Sequence, residues 1–562
     1  MRGIDAVRAR RSPDLTCTHT PLSARHSRTT GRRYFVDLAP SGRVHARSRW
    51  PTPAQATLFV LVLGLVWRTL RYLLAFPLWN DEAFLALSIL TRDLAGLAQP
   101  LEFGQIAPPG FLWAEWGIVR LLGKSELALR LVPYLAGVCS LLLFRHFCRG
   151  VAGRRVVLVA VALLAASFYP VRHANEVKPY AIDLLVTLVL MGLGWRVWLE
   201  PRRGERWAVL IIMAAVGVWC SYPAVFPAAS VAVLVGFRAW RERTPRVWAW
   251  GLTYILVLAA SWALMAVTFA LPQARASAWL PGLSTWRGAF PPLAHPWRLP
   301  WWLLEVHTGN MLAYPHGGHN FGSTPTFLLV MAGIWALWRQ PRRRSLLWLL
   351  LGPLAFALVA AALRRYPYGT SARIMLYMAP AFCLLAAEGS IALLRTWGRR
   401  GLRYGPFVLA GSLALLTAAW VVTDISAPYT RRSDLEKRRL IQQWAEITSP
   451  GDLWVVFDGA TPLPQVPEMM VSQWVQRVAD FRYDVRSLAP VPVWWEPDPQ
   501  TVALLHGRRI WFFVHHHGCA RLYPGARLAA YEKALTARLG PPVSSGPLFV
   551  DGAILVVHVY SP

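Results

Sequence analysis

The sequence predicts an α-helical multi-pass membrane protein of about eleven transmembrane helices, followed by a small α/β C-terminal extracytoplasmic domain. Three observations predict it. The 562-residue chain is 55% hydrophobic, only 16% charged and carries 29 tryptophans, which excludes an ordinary soluble enzyme. Its formal net charge of +30 is gathered into short arginine clusters between apolar runs. Cytoplasmic loops have that pattern, and a nucleic-acid-binding face does not. Beyond residue 430 the long apolar runs give way to short β-rich segments.

Residues 1–56 are polar and arginine-rich and lack the apolar core and small-residue cleavage site of a secretory signal. They read as a disordered cytoplasmic arm, or as codons upstream of the true start. A first span over 57–76 has roughly the twenty residues a helix needs to cross the hydrocarbon, and the basic arm before it places the N-terminus inside. The apolar run 127–143 ends in the basic stretch FRHFCRGVAGRR, so it returns inward and leaves 77–126 outside. Within that loop FLWAEWGIVRLL (111–122) is too short to span and contains Glu115 and Arg120, which suits a helix lying on the membrane surface.

The alternation continues with an outward span near 156–170, an outer segment VRHANEVKPY and a return near 181–199. The clusters RAWRERTPR, WRQPRRR and RTWGRRGLR close later inward crossings, and the interval 205–240 reads as one long or two short spans. Between the later clusters lie an outer loop at 271–323 and an outer turn RRYPYGTSAR. A last outward helix near 404–424 completes a core of 57–424 and leaves 430–562 outside. There DLWVVFD, RRIWFFVHH and AILVVHVY read as strands, with helix-like stretches near 431–447 and 526–538. The expected location is the inner (plasma) membrane.

With that topology the charges other than the loop arginines fall on one rim. Asp81, Glu82, Arg130, Arg172, His173, Glu176, Lys178 and Arg373 all lie at outer helix ends. A single charge at a helix end is usually a solvated loop residue, but acids and bases crowding one membrane face mark a site. Transfer of a group from a lipid-linked phosphate to a hydroxyl needs fixed cations for the phosphate and a carboxylate for the hydroxyl proton. Arg130, Lys178 and Arg373 supply the cations, and Asp81 or Glu82 the base.

The ordered set LWNDEAF, APPGFLW, KSELALRL, RHANEVKPYAIDLL and YPYGTSARIMLYMAP, spread over residues 57–400, resembles the GT-C superfamily of polyprenyl-phosphate-dependent glycosyltransferases. The branch it looks most like contains the protein O-mannosyltransferase-like and aminoarabinose-transferase-like enzymes. The resemblance implies Asp81 as catalytic base with Glu82 as its neighbour, and a Pro-Pro element at Pro108 and Pro109. Ala107 stands where the family often has histidine. The resemblance also implies Arg130 and Arg373 as family arginines and Glu176 as the outer acidic residue, with Lys178 and Tyr180 beside it. Donor phosphate is thus expected on Arg130, Lys178 and Arg373, and substrate on Arg172, His173, Glu176 and Tyr180. The implied partners are a polyprenyl-phosphate sugar donor, a glycan, lipid or protein acceptor and membrane lipids, with no nucleic acid.

Other features carry less. The six cysteines are scattered without a CxxC pair, so neither a disulfide framework nor a cysteine zinc site is indicated. His515 and His517 would share a strand face, but with no carboxylate nearby they read as surface histidines; no metal and no cofactor is expected. Arg68 and Arg71 share one face of the first span, which points them at the protein interior or a polar cavity. Glu388, deep in a late span, is expected to pair with an arginine of the cytoplasmic end. Two other functions compete with sugar transfer. A lipid-linked sugar transporter would keep its charges near the midplane, often in duplicated halves. A non-catalytic scaffold would leave the clustered rim unexplained.

Overall fold

The computed structural model describes residues 51–428 apart from 77, 79, 102–103 and 278–287, and in the tail four strands with a few residues beside them. The arm 1–50 and the stretch 431–447 lie outside the described residues, as does 526–538 but for three positions. The chain runs through α1 (Pro53–Leu73), α2 (Asn80–Thr91), α3 (Pro109–Leu122), α4 (Glu126–Leu129) and α5 (Leu131–Val151). Next come α6 (Arg154–Ala166), α7 (Phe168–His173), α8 (Tyr180–Leu199), α9 (Gly204–Cys220), α10 (Val225–Glu242) and α11 (Pro245–Met265). The last continues through a π-turn into α12 (Leu271–Ala276), followed by α13 (Leu299–Thr308), α14 (Thr324–Trp338), α15 (Arg344–Ala362), α16 (Ala379–Thr396) and α17 (Gly398–Ser426).

Among the described residues eight helices are long and apolar enough to cross a membrane, so the chain is a multi-pass membrane protein. Among the described residues α14 is a shorter apolar helix. The interval 205–240 resolves into two helices parted at Ser221–Ala224. α1 begins four residues before its expected start because Thr52 caps it. The Thr52 hydroxyl accepts from the Gln55 amide at 3.3 Å and the Gln55 side chain accepts from the Thr52 amide at 2.8 Å. α3 occupies the segment expected to lie on the surface, yet its Glu115 is fully buried with no hydrogen-bond partner among the described residues. Burial raises that carboxyl well above the usual range.

α6 and α16 are buried nearly all round, in keeping with their VVLVAVALLAA and AFCLLAAEGS sequences, and pack together at the centre. α16 meets α14 at backbone contact distance. A Cβ on Gly389 would lie 1.9 Å from the Leu329 carbonyl oxygen, and one on Gly333 the same distance from that of Leu385. Small residues at both crossing points let the helices approach this closely. Gly389→Ala is therefore expected to destabilise the protein by about 1–3 kcal/mol or more, read as a lower thermal midpoint in detergent. Gly411→Ala on α17, where a Cβ meets nothing within 4 Å, leaves the midpoint unchanged.

The two arginines of α1 have separate partners. Arg68, buried in the bundle, donates to the carbonyls of Gly64 (2.9 Å), Leu164 (3.1 Å) and Ala165 (3.4 Å). It thereby caps α6 where that helix breaks before Ser167. Arg71 pairs with Asp424 in the last turn of α17, and the Trp67 indole donates to the other Asp424 oxygen at 2.8 Å. α1 and α17 are thus tied at the end of the bundle from which the tail departs.

In the tail the three expected strands are present as β1 (Leu453–Asp458), β2 (Ile510–His516) and β4 (Ala553–Tyr560), joined by β3 (Ser544–Val550). The sheet order is β1-β2-β4-β3, with β1 parallel to β2 and the other pairs antiparallel. β3 escaped notice because SSGPLFV has neither alternation nor a β-branched run at its start. His515 stands opposite Asp458 and Leu555 in register, and His517 lies outside the described residues.

Candidate active site

Asp81 and Glu82 occupy the first turn of α2, where the unpaired amides of a helix N-terminus favour carboxylates. Successive residues on a helix point about 100° apart, and the two acids diverge accordingly. Asp81 meets two cations: its Oδ1 lies 3.1 Å from Lys178 Nζ, and its Oδ2 accepts from Arg373 Nη1 at 2.8 Å. The side chains of Asp81 and Arg373 stay 23% and 25% exposed, so both can be reached from outside, whereas Lys178 is buried. Gln105 bridges the group, donating to Asp81 Oδ1 at 3.3 Å and accepting from Lys178 Nζ.

Glu82 is buried completely and faces inward. Arg130 Nε and Nη2 donate to its two oxygens at 3.0 and 2.9 Å, a bidentate pair, and the Val177 amide adds a third bond at 2.9 Å. The remaining contact of Arg130 runs from Nη1 to the Phe76 carbonyl. Arg130 is thus buried against Glu82, and through the Val177 amide the pair is tied to the α7–α8 connection that carries Lys178.

Glu176 in that connection accepts from Arg172 Nε at 2.6 Å and bonds His173 Nδ1 at 2.7 Å. The His173 ring packs edge-on against Tyr180, centroids 5.1 Å apart, and its Nε2 is buried with no partner among the described residues. Of the nine residues singled out in the sequence, Asp81, Lys178 and Arg373 therefore meet directly. Glu176, His173, Arg172 and Tyr180 form an adjoining cluster, and Glu82 with Arg130 forms a third. The Glu176 charge reaches both Lys178 and Arg373.

Burial alone would raise the Asp81 carboxyl, but Lys178 and Arg373 together hold it below the ordinary carboxylate range. Burial lowers Lys178, only partly offset by Asp81. Glu176, although buried, is held low by His173 and Arg172.

Sequence reasoning missed the uncharged members. Gln105 lies four residues before Pro109 in FGQIAPPG, and nothing local marks an amide as a bridge between charges. The loop is fastened at Ala107, whose amide donates to Gln273 Oε1 at 3.1 Å and whose carbonyl accepts from Gln273 Nε2 at 3.2 Å; the Tyr222 hydroxyl joins both at 3.0–3.1 Å. A residue 166 positions away thus fastens the loop at Ala107. On the opposite side Tyr366 donates to the Ile374 carbonyl at 2.9 Å and steadies the turn bearing Arg373. Among the described residues no group of three His, Cys, Asp or Glu side chains could hold a metal. His307 and His319 of the outer loop bond Tyr368 and Asn310 instead.

A family model described as dolichyl-phosphate-mannose-protein mannosyltransferase matches residues 107–266. The crystal structure of ArnT from Cupriavidus metallidurans bound to undecaprenyl phosphate aligns over 90% of this chain and 98% of that one, with a TM-score of 0.51 at 14% identity. The chain has the fold of that protein. The oligosaccharyltransferase of Archaeoglobus fulgidus in complex with Zn and sulfate is more distant, at a TM-score of 0.46 and 12% identity over 85% of this chain and 70% of that one. No curated protein sequence matches this one. The segment matched by the family model runs from the Ala107 loop through α3 to α11 and contains Arg130, Glu176, Lys178 and Tyr180, but neither Asp81 nor Arg373.

Proposed function

We propose that the protein transfers a sugar from a polyprenyl-phosphate donor to a hydroxyl of a glycan, lipid or protein acceptor at the outer membrane face, with Asp81 as general base. The observation that carries this is one half-open carboxylate held between Lys178 and Arg373. In this reading the donor phosphate binds to the two cations that Asp81 bridges. When the phosphate arrives, Arg373 and Lys178 turn to it, and Asp81 loses the neighbours that hold its pKa down. It then becomes basic enough to take the acceptor's proton as that oxygen attacks the anomeric carbon. The bond from that carbon to the phosphate oxygen breaks, the polyprenyl phosphate leaves with its charge held by the two cations, and the proton stays on Asp81. Glu82 and Arg130 act as positioning residues that hold the Lys178 segment, and Glu176 orients His173 beside Tyr180 for the sugar.

The arginine clusters support this sidedness: with the basic loops cytoplasmic, Asp81 faces outward, the N-terminal arm lies inside and residues 430–562 form the extracytoplasmic domain of a plasma-membrane enzyme. Two fixed cations supply the phosphate neutralisation, so the reaction as written needs no divalent metal. Transfer from a radiolabelled polyprenyl-phosphate sugar to candidate acceptors tests the reading; turnover by Asp81→Asn equal to that of the native protein would overturn the base assignment.

The pH dependence carries a second signature. In the free enzyme Asp81 stays ionised to below its ordinary value of about 3.9, so kcat/KM is expected to hold down to that acidity. With donor bound the cations are diverted and the Asp81 pKa rises, so the acid limb of kcat lies at higher pH than that of kcat/KM. On the alkaline side Lys178 loses its proton below its ordinary value of about 10.4, and the KM for donor rises there. Coincident acid limbs in the two profiles would count against the exchange of partners.

A further inference from the structure

We infer that the opposite end of the bundle holds a second anion site, which takes the phosphate of an anionic phospholipid headgroup. A cavity of about 450 Å³ lies there, lined by Pro53 of α1, Gly153–Val156 at the start of α6, Arg343 just before α15, Glu388, Ile391 and Arg395 of α16, and Leu402 of α17. Its position is fixed by the helices: α1 and α6 begin at it and run toward the Asp81 rim, while α16 starts just after Arg373 and ends at it.

Four arginines face one carboxylate. Glu388 is buried and already bound by Arg343 Nη2, which also donates to the Val151 carbonyl at 3.0 Å. Arg154, Arg155 and Arg395 have no carboxylate partner among the described residues and are exposed at the cavity rim. α6 is long enough to present a helix N-terminus, and the amides of its first turn have no intrahelical acceptor. A Cβ on Gly153 would meet nothing within 4 Å, so the approach to those amides is open. Guanidinium groups bind phosphate bidentately, and an uncompensated cluster of three beside a helix start is a phosphate site in every particular but its ligand.

The phosphate could come from a lipid or from solution. The lining favours the lipid, because Pro53, Val156, Ile391 and Leu402 put apolar surface beside the arginines at the end of membrane-crossing helices. Basic pockets between transmembrane helices on the cytoplasmic side select anionic headgroups on this ground. The inference does not rest on the proposed reaction, since none of these residues touches the Asp81 cluster.

The full-length protein in phosphatidylcholine nanodiscs with or without phosphatidylglycerol provides the test. Native mass spectrometry is expected to find phosphatidylglycerol retained in preference to phosphatidylcholine, and retention to fall about tenfold in the double variant R155A/R395A. Arg400→Ala, at an exposed arginine outside the cavity, leaves retention unchanged. Equal retention by R155A/R395A overturns the site. Should that variant fail to fold, arginine modification by phenylglyoxal on the native protein decides the matter. Phosphatidylglycerol is expected to protect Arg155 and Arg395 but not Arg400, and protection no greater than at Arg400 overturns the inference. Inorganic phosphate alone is expected not to protect; if it protects as well as the lipid, the lipid assignment fails and the ligand is a soluble phosphate.

Discussion

Asp81→Asn is expected to lower sugar transfer by about 10²- to 10⁴-fold, the range for loss of a positioned general base, while the KM for donor stays level or falls. The second half discriminates. Asparagine keeps the size of the side chain but withdraws the charge that Lys178 and Arg373 share. An incoming phosphate then no longer competes with a carboxylate for those cations, so donor affinity does not suffer as turnover collapses. Arg373→Ala should do the opposite and raise the donor KM first, because it removes a ligand for the phosphate and leaves the base. Initial rates with radiolabelled donor over a range of concentrations separate the two. A rise in donor KM for Asp81→Asn equal to that for Arg373→Ala would mean that Asp81 merely orders the cations.

Arg130→Met is expected to destabilise the protein by about 3–5 kcal/mol, because it leaves the buried Glu82 carboxylate without its counter-ion. Such a loss exceeds what most membrane proteins tolerate in detergent, and poor yield of folded protein is the expected readout. The double variant Glu82→Gln with Arg130→Met removes both charges and should recover much of the stability, since a neutral amide can still accept from the Val177 amide. Recovery in the double variant, measured as thermal midpoint against both single changes, identifies the pair as a structural clamp on the Lys178 segment. If Arg130 bound the donor phosphate instead, Arg130→Lys would keep native stability and raise the donor KM.

The division of labour between Asp81 and Glu82 was only half legible in the sequence. Both acids stand just past the end of an apolar run, which marks them as lying outside the hydrocarbon. Their different fates follow from helix rotation, which needs the neighbouring helices before a direction can be assigned. Lys178 and Arg373 were readable as cations on one rim, and the arginine clusters brought them to the same side although 195 positions separate them in the numbering. Gln105, Gln273 and Tyr222 were not readable, because uncharged groups acquire meaning only from what they touch. The same holds for Arg71: its position on an inward face could be foreseen, but its partner Asp424 lies 353 residues on. The helix order was legible because bilayer thickness sets a length that composition reveals.

The carboxylate between two cations has a consequence for selectivity. An empty phosphate site with bare guanidinium and ammonium groups would collect whatever small anion the surrounding fluid holds. Here any visitor must first displace a tethered carboxylate already at 2.8 and 3.1 Å, so a dilute soluble anion competes against a partner of very high effective concentration. On the proposed reaction the donor phosphate, anchored in the bilayer by its own hydrocarbon chain, arrives confined to a thin layer beside the Asp81 cluster and meets that threshold. On that reaction the Asp81 carboxylate works as a latch that a membrane-bound key opens and a dissolved ion does not.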